Sequence, residues 1–406
     1  MRESLDIWPP FSLPFPIAIQ YSNYNTFTLY DADNLLAALE NHGRVSQVDL
    51  YLTGLQLGEV ATVIQQPFPA LTHLALRWAR EDERPPVLPS DFLGGSSPCL
   101  RHIHLKGILF PALPSLLLST SGVVDLHLGD IHQEGSISAE AMVACLAGLP
   151  RLKSLSIEFQ LATFLPGQIT LPRMTRTLLP ALTSIRFLGA CEYMEELVSR
   201  IDSPRLGQIY ISYLNQLRDF QLAQLFKFID RSEDPAISLI RYADVTFSGY
   251  SVNFKMSESS PYGSRVAVVV ICQPTERQVS LIAQAFSQPS AMLSRVVHHK
   301  LSHLQFAVSV GLHRDEWLLR LRQFSTIRTL HVSQKFRFVW YIAVVLEGVT
   351  GEMVVEILPV VDFIYLGGEP VSHVEKFLAV RQLSSYPLII VDTEVEFDER
   401  IESYAR

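Results

Sequence analysis

One short pattern recurs along most of the chain: an apolar residue, two variable residues, a second apolar residue, one variable residue and a third apolar residue, usually behind a Pro or Gly turn. Clear instances are Val45/Val48/Leu50, Leu71/Leu74/Leu76, Leu100/Ile103/Leu105, Val123/Leu126/Leu128, Leu152/Leu155/Ile157, Leu182/Ile185/Phe187 and Leu206/Ile209/Ile211. Apolar residues at alternate positions put their side chains on one face of a short strand and turn the residues between them to the other. First positions of successive units lie 23 to 30 residues apart, the length of one strand plus one return helix. Later units are less regular: Ile237/Ile240/Tyr242, Val266/Val269/Ile271, Leu301/Leu304/Phe306, Ile327/Leu330/Val332, Val361/Ile364/Leu366 and Tyr386/Ile389/Val391.

The segments between units read as helices. Ser138 offers a cap, Glu140 an acid in the first turn and Gly148 a terminator for 139–147. Thr275 to Gln278 and Ser372 to Glu375 have capping-box spacing ahead of apolar runs. Residues 31–43 read as a first helix that closes the N-terminal end of the stack. Strand and helix in turn, repeated at this step, predict an α/β leucine-rich-repeat solenoid: a horseshoe with a parallel β-sheet on the concave face and helices on the convex face. Its expected divisions are an N-terminal capping segment (1–44), a first repeat array (45–244), a Ser-, Tyr- and Gly-rich loop or hairpin (245–263), and a second, degenerate array continuous with the first (264–406). The Asn or Cys that a regular repeat carries three residues beyond its third apolar position is replaced here by Thr53, Ala79, Ile108, Ile131, Gln160, Ala190 and Leu214.

Composition narrows the role. A formal net charge of −8 leaves no basic excess for a phosphate backbone, so nucleic acid is not an expected partner. No apolar run approaches the roughly 20 residues that span a bilayer, and Met1-Arg2-Glu3-Ser4-Leu5-Asp6 does not resemble a secretory signal. Cys99, Cys145, Cys191 and Cys272 are scattered with no C-x-x-C pair, and no N-x-[ST] acceptor occurs. A cytoplasmic or nuclear protein with reduced thiols and no membrane partner is expected.

The stretches Trp8-Pro-Pro-Phe11, 33–40 (DNLLAALE), 67–72 (PFPALT), 92–96 (FLGGS), 179–183 (LPALT) and 228–231 (FIDR) resemble the F-box/leucine-rich-repeat proteins of mushroom-forming fungi, over roughly residues 1–400. In that family the resemblance implies an F-box that docks on a Skp1-type adaptor of a cullin ubiquitin ligase, followed by repeats that recruit a target. No Leu-Pro-x-Glu opening of an F-box precedes Trp8, so the resemblance covers the repeat region alone. A Skp1-type adaptor is an expected partner only where an F-box lies upstream.

Signatures of common chemistry are missing: neither phosphate-loop spacing, nor G-x-G-x-x-G, nor H-E-x-x-H, nor G-x-S-x-G occurs. The polar positions of the repeat are more informative. Third and fifth positions of units 71, 100 and 123 place His73, His102, His104, Asp125 and His127 on one face of neighbouring strands, about 4.8 Å apart. Imidazoles and a carboxylate suit zinc, but a polar, pH-sensitive patch that contacts a partner is the expected role, with no metal or cofactor. Glu158, Arg186 and Tyr210 continue the face, and Tyr and Arg are enriched where binding energy concentrates. The runs Arg80 to Pro86 and His298 to His303 read as solvated surface. A non-enzymatic protein-binding module follows, in the first instance the target-binding region of a ubiquitin-ligase receptor and otherwise a stand-alone scaffold or sensor for a protein or small ligand.

Overall fold

The structure is a computed structural model that describes residues 15–22, 29–79, 84–160, 176–214, 222–247, 251–258, 265–271, 296, 298–303, 329–332, 363–366, 375–382 and 389–392. The chain divides into two compact units, Met1–Gly207 with Arg231–Glu233, and Gln208–Asp230 with Asp234–Arg406. Its class is α/β, with sheets dominated by parallel pairing.

Strands of the first unit are β1 (Ile17–Ser22), β2 (Val45–Leu52), β3 (His73–Trp78), β4 (His102–Lys106), β5 (Asp125–Ile131), β6 (Ser154–Phe159), β7 (Thr177–Leu178), β8 (Ser184–Gly189) and β9 (Ile201–Asp202). From β1 to β6 and then β8, each pairs in parallel with the next, while β7 and β9 form a separate parallel pair. The leading residues are tied in the same way at every step. Thr72 N donates to Ser46 O at 2.8 Å, Arg101 N to Thr72 O at 2.9 Å, Val124 N to Arg101 O at 2.7 Å, and Lys153 N to Val124 O at 2.7 Å.

That common register aligns the apolar positions into two continuous rows. One runs Val48, Leu74, Ile103, Leu126, Leu155, Ile185, and the other Leu50, Leu76, Leu105, Leu128, Ile157, Phe187. All are buried, each side chain contributing about 1.5–3 kcal/mol of hydrophobic stabilisation. Helices Leu29–Leu39, Gly54–Val63, Leu113–Ser119, Ala139–Ala147 and Cys191–Ser199 return the chain between strands. Leu57, Val60, Leu116, Leu117, Met142, Leu146, Met194 and Leu197 are among the helical residues that bury their side chains. Thr53 closes a full capping box with Gln56. As expected, Ser138 caps the helix that ends at Gly148. After β4 the chain turns through Gly107 at φ +71°, where a Cβ would come within 3.1 Å of the Trp78 ring, so glycine is required twice over.

Arg231–Glu233 belongs to the first unit although flanked in sequence by the second. Arg231 donates to Val198 O and Ile201 O at 3.2 and 3.1 Å and pairs with Asp202, while Ser232 Oγ donates to Leu206 O at 2.7 Å. Burial holds the Arg231 guanidinium below its ordinary pKa, and the Asp202 carboxylate works against that shift.

Strands of the second unit are β10 (Gln208–Tyr213), β11 (Tyr242–Phe247), β12 (Ser251–Ser257), β13 (Val266–Ile271), β14 (His298–His303), β15 (Thr329–Val332), β16 (Phe363–Leu366) and β17 (Ile389–Asp392). They lie in the order β10, β13, β12, β11, β14, β15, β16, β17. β12 is antiparallel to both neighbours, and the other adjacent strands of this order pair in parallel. Residues 245–263 thus include half of β11 and the whole of β12, inside the sheet. Helices Ala223–Asp230, Pro235–Ser238 and Glu375–Gln382 are the described helices here. The helix expected after Thr275, and the cap at Ser372, lie outside the described residues.

Three later repeats take a different phase from the one the pattern predicts. β13 pairs Ile209 with Val266 and Ile211 with Val268, so Val266, Val268 and Val270 are buried while Val269 and Ile271 are partly exposed. Residues 266–272 are apolar throughout and carry no alternation of their own, so the neighbouring strand sets the phase. β15 aligns Leu330 and Val332 with His299 and Leu301, which moves the expected Leu301/Leu304/Phe306 unit towards the N-terminus. β17 aligns Ile390 with Ile364, one residue away from the expected Ile389. His298, His299 and Lys300 open strand β14. Ile237 falls in the short helix Pro235–Ser238.

Candidate functional site

The open face of the first unit is set by the residues between the buried ones. Its rows follow from the register: Gln47, His73, His102, Asp125, Ser154, Ser184; then Asp49, Ala75, His104, His127, Ser156, Arg186; then Tyr51, Arg77, Lys106, Gly129. The strand backbone holds the imidazoles at neighbouring places in the first two rows, and the rings meet in pairs.

His73 and His102 stack, centroids 3.9 Å apart and planes 17° from parallel. Asp125 Oδ2 lies 2.6 Å from His102 Nδ1, with both side chains near two-fifths exposed. The Thr72 hydroxyl lies 3.2 Å from His73 Nδ1. Desolvation, and then the neighbouring His102, lower the pKa of His73.

One row along, His104 and His127 approach to 4.1 Å between centroids, tilted by 59°. Here no carboxylate pairs with either ring among the described residues, and His104 Nε2 is buried without a hydrogen-bond partner. Desolvation first and His127 second hold His104 down to about 4, with Arg77 and Lys106 acting in the same direction and Asp49 against them. Burial also lowers His127, which Glu158 pulls back upwards and Lys106 and Arg186 push further down. Two imidazolium charges about 4 Å apart would repel by about 4 kcal/mol at an effective dielectric of about 20. The pair is therefore a neutral one at pH 7.

Charged groups surround the imidazoles in opposite-sign pairs. Arg77 Nη2 donates to Asp49 Oδ1 at 2.6 Å, reaching diagonally to the neighbouring strand, where Asp49 pairs in register with Ala75. Lys106 Nζ and Asp130 Oδ2 stand 3.6 Å apart, with Asp130 at φ +50° near the end of β5. Ser156 Oγ donates to Glu158 Oε1 at 3.2 Å. Gly129 leaves room for a ring: a Cβ there would lie 2.9 Å from His127 Nε2.

Of the residues the sequence singles out, His73, His102, His104, Asp125 and His127 come together, and Glu158 and Arg186 act electrostatically on His127. Tyr210 sits on β10 of the second unit, in register with Ala267, and is partly exposed. Sequence reading missed Asp49, Arg77, Lys106 and Gly129. Asp49 occupies a fifth position, and the other three occupy seventh positions, one step further along the alternation that located the histidines. Among the described residues no group of three or more His, Cys, Asp or Glu is arranged to hold a metal ion. The cluster can accept and donate hydrogen bonds, take up protons, and present flat aromatic surface.

No described helix is long and apolar enough to cross a membrane. No protein-family pattern matches the chain, and no curated protein matches it. Among solved structures the chain is similar to the leucine-rich repeat-containing protein LegL7 from Legionella pneumophila, at 13% identity over 94% of each chain with a TM-score of 0.26, a likeness too weak to carry fold or function.

Proposed function

We propose that this chain is a non-enzymatic protein-interaction module, a leucine-rich-repeat solenoid whose open, polar sheet face holds a protein partner. One observation carries the reading. Across β2 to β8 the buried rows repeat with little change, whereas the open face bears a non-repeating set of imidazoles, Arg77, Arg186, Asp49 and Asp125 held in fixed register. Solenoids bind through extended surfaces of this kind, and a rigid polar array presents its hydrogen-bonding groups with little conformational cost on association. The horseshoe, with this face concave, belongs to the same proposal.

The specific form favoured by the sequence resemblance is the target-holding region of an F-box-type ubiquitin-ligase receptor, working in the cytoplasm or nucleus. The test is affinity purification of the tagged chain from fungal cells, with quantitative mass spectrometry, beside a variant carrying Arg77→Ser and His102→Ser. Proteins recovered with the parent and lost with the variant are the expected result. Identical recoveries from both would remove the open face as the binding surface. Skp1-type adaptor and cullin among the recovered proteins would support the receptor role; a stable partner set lacking both would favour a stand-alone scaffold.

A further inference from the structure

We propose that His104 and His127 form a proton-sensitive latch in the first unit: uncharged and packed ring to ring near neutrality, and forced apart when they take up protons. The latch is a property of the sheet itself. It adds regulation to the face described above, but its test needs no partner, so it can fail while the partner reading stands.

The geometry is specific to this pair. The rings are 4.1 Å apart, closer than two like charges tolerate without a counter-ion. His104 Nε2 is sealed from solvent with nothing to accept a proton's hydrogen bond, so protonation there leaves a buried cationic N–H unsatisfied. Nor can His127 swing freely, since its Nε2 fills the space that the missing side chain of Gly129 leaves, beside the Lys106 stem.

The groups facing the pair cannot neutralise two added charges. From β2 comes Asp49, already held by Arg77 of β3 at 2.6 Å. From β4 and the end of β5 come Lys106 and Asp130, paired with each other at 3.6 Å. From β6 comes Glu158, accepting from Ser156, and from β8 comes Arg186. Three cations and three carboxylates are already present, so protons on both imidazoles leave an excess of positive charge. The neighbouring pair supplies the contrast within the same sheet: His73 and His102 stack as closely, yet Asp125 stands 2.6 Å from His102 and is in place to balance a proton.

The direction of the pH effect follows. Packing lowers the proton affinity of both rings, to about 4 for His104. An opened sheet restores the ordinary value of about 6.5. The opened form therefore binds more protons between about pH 6.5 and 4, and acidification through that window favours it. Above about pH 6.5 the closed pair keeps its full advantage.

The experiment uses the full chain in two measurements. Histidine ¹³Cε1 resonances are followed from about pH 7.5 to 4, and hydrogen exchange of β4 and β5 is followed over the same range after correction for the intrinsic pH dependence of exchange. Expected are titration of His104 well below the ordinary histidine range and of His127 below it, and a rise of about tenfold in the opening of β4 and β5 between about pH 7 and pH 4.5, discounted for partial solvent screening. His104→Gln is expected to reduce that rise to the smaller part that burial of His127 supplies, and His73→Gln to leave it in place. If either variant fails to fold, the parent measurements and His127→Gln decide. Ordinary titration of both rings, or a rise undiminished in His104→Gln, would overturn the latch.

Discussion

The two faces of the β2 to β8 sheet are built from alternate residues of the same strands, yet they obey different rules. On the buried face, Leu74, Ile103, Leu126 and Leu155 occupy equivalent places in successive strands, and one aliphatic residue stands in for another along an intact row. On the open face the matching places hold Ala75, His104, His127 and Ser156, a row of unlike side chains. Stacking constrains the first face because every unit must bury the same surface against its neighbours. Solvent imposes no such requirement on the second, where a local cluster persists only if its own contacts hold it. The residues that carry the stacking and those that face solvent are thereby separated by a distance of one residue.

This separation predicts unequal losses for adjacent positions. Leu126→Ala removes a side chain that is 1% exposed at the middle of its row, and is expected to cost about 3 kcal/mol. Its neighbour on the opposite face, His127→Gln, is expected to cost less than about 1 kcal/mol at pH 7. Urea titrations of the three chains at one pH, followed by far-UV circular dichroism, read the difference as a shift in midpoint. Equal losses at the two positions would show that the open face shares the structural load.

Glycines give the next sharpest contrast, because each face contains one against which aromatic rings pack. On the buried side, a Cβ at Gly189 would meet the Phe159 ring at 2.7 Å and the Phe187 ring at 2.9 Å. Tyr193 also closes on Phe159, with centroids 4.9 Å apart, so the rings have little room to retreat. Gly189→Ala is expected to destabilise by about 2 kcal/mol through overpacking. On the open side, Gly129→Ala confronts only the edge of His127 and the Lys106 stem, and is expected to cost about 1 kcal/mol. Its clearer signature is a displaced His127 resonance beside an unmoved His73. A larger loss at Gly129 than at Gly189 would reverse the assignment of which face is tightly packed.

The same division explains what the sequence makes legible. Units 45 to 206 alternate strictly, so one face is apolar and the register has a single solution; the strands and the meeting of His73, His102, His104, Asp125 and His127 follow from it, while the Ser138 cap follows from its own local signal. Asp49, Arg77 and Lys106 lie on the same alternation, the last two beyond the positions that define the unit. Pairings within the face were not legible, because alternation places a residue without saying which neighbour it will meet: Arg77 passes over Ala75 to reach Asp49. In the second unit the signal fails for a different reason. Val266 to Cys272 are apolar at every position, and the insertion of β12 and β13 between β10 and β11 reorders strands that sequence order alone would have made neighbours.

The smallest effect tests whether charge on the open face is as uncoupled from folding as its exposure implies. Asp125 and His102 meet at 2.6 Å, but their side chains are 43% and 37% exposed. An ion pair in that setting is screened and worth between about 0 and 1 kcal/mol. Asp125→Asn keeps the shape and a hydrogen-bond acceptor while removing the charge, so the expected loss at about pH 6 is no more than about 0.5 kcal/mol. It should shrink further as salt rises from about 0.05 to 0.5 M, as the Debye length falls below the distances to neighbouring charges. Urea midpoints at the two salt concentrations measure both quantities. A loss above about 2 kcal/mol that is insensitive to salt would mean that Asp125 is tied into the fold, and the open face would then have to be counted with the buried rows as a determinant of stability.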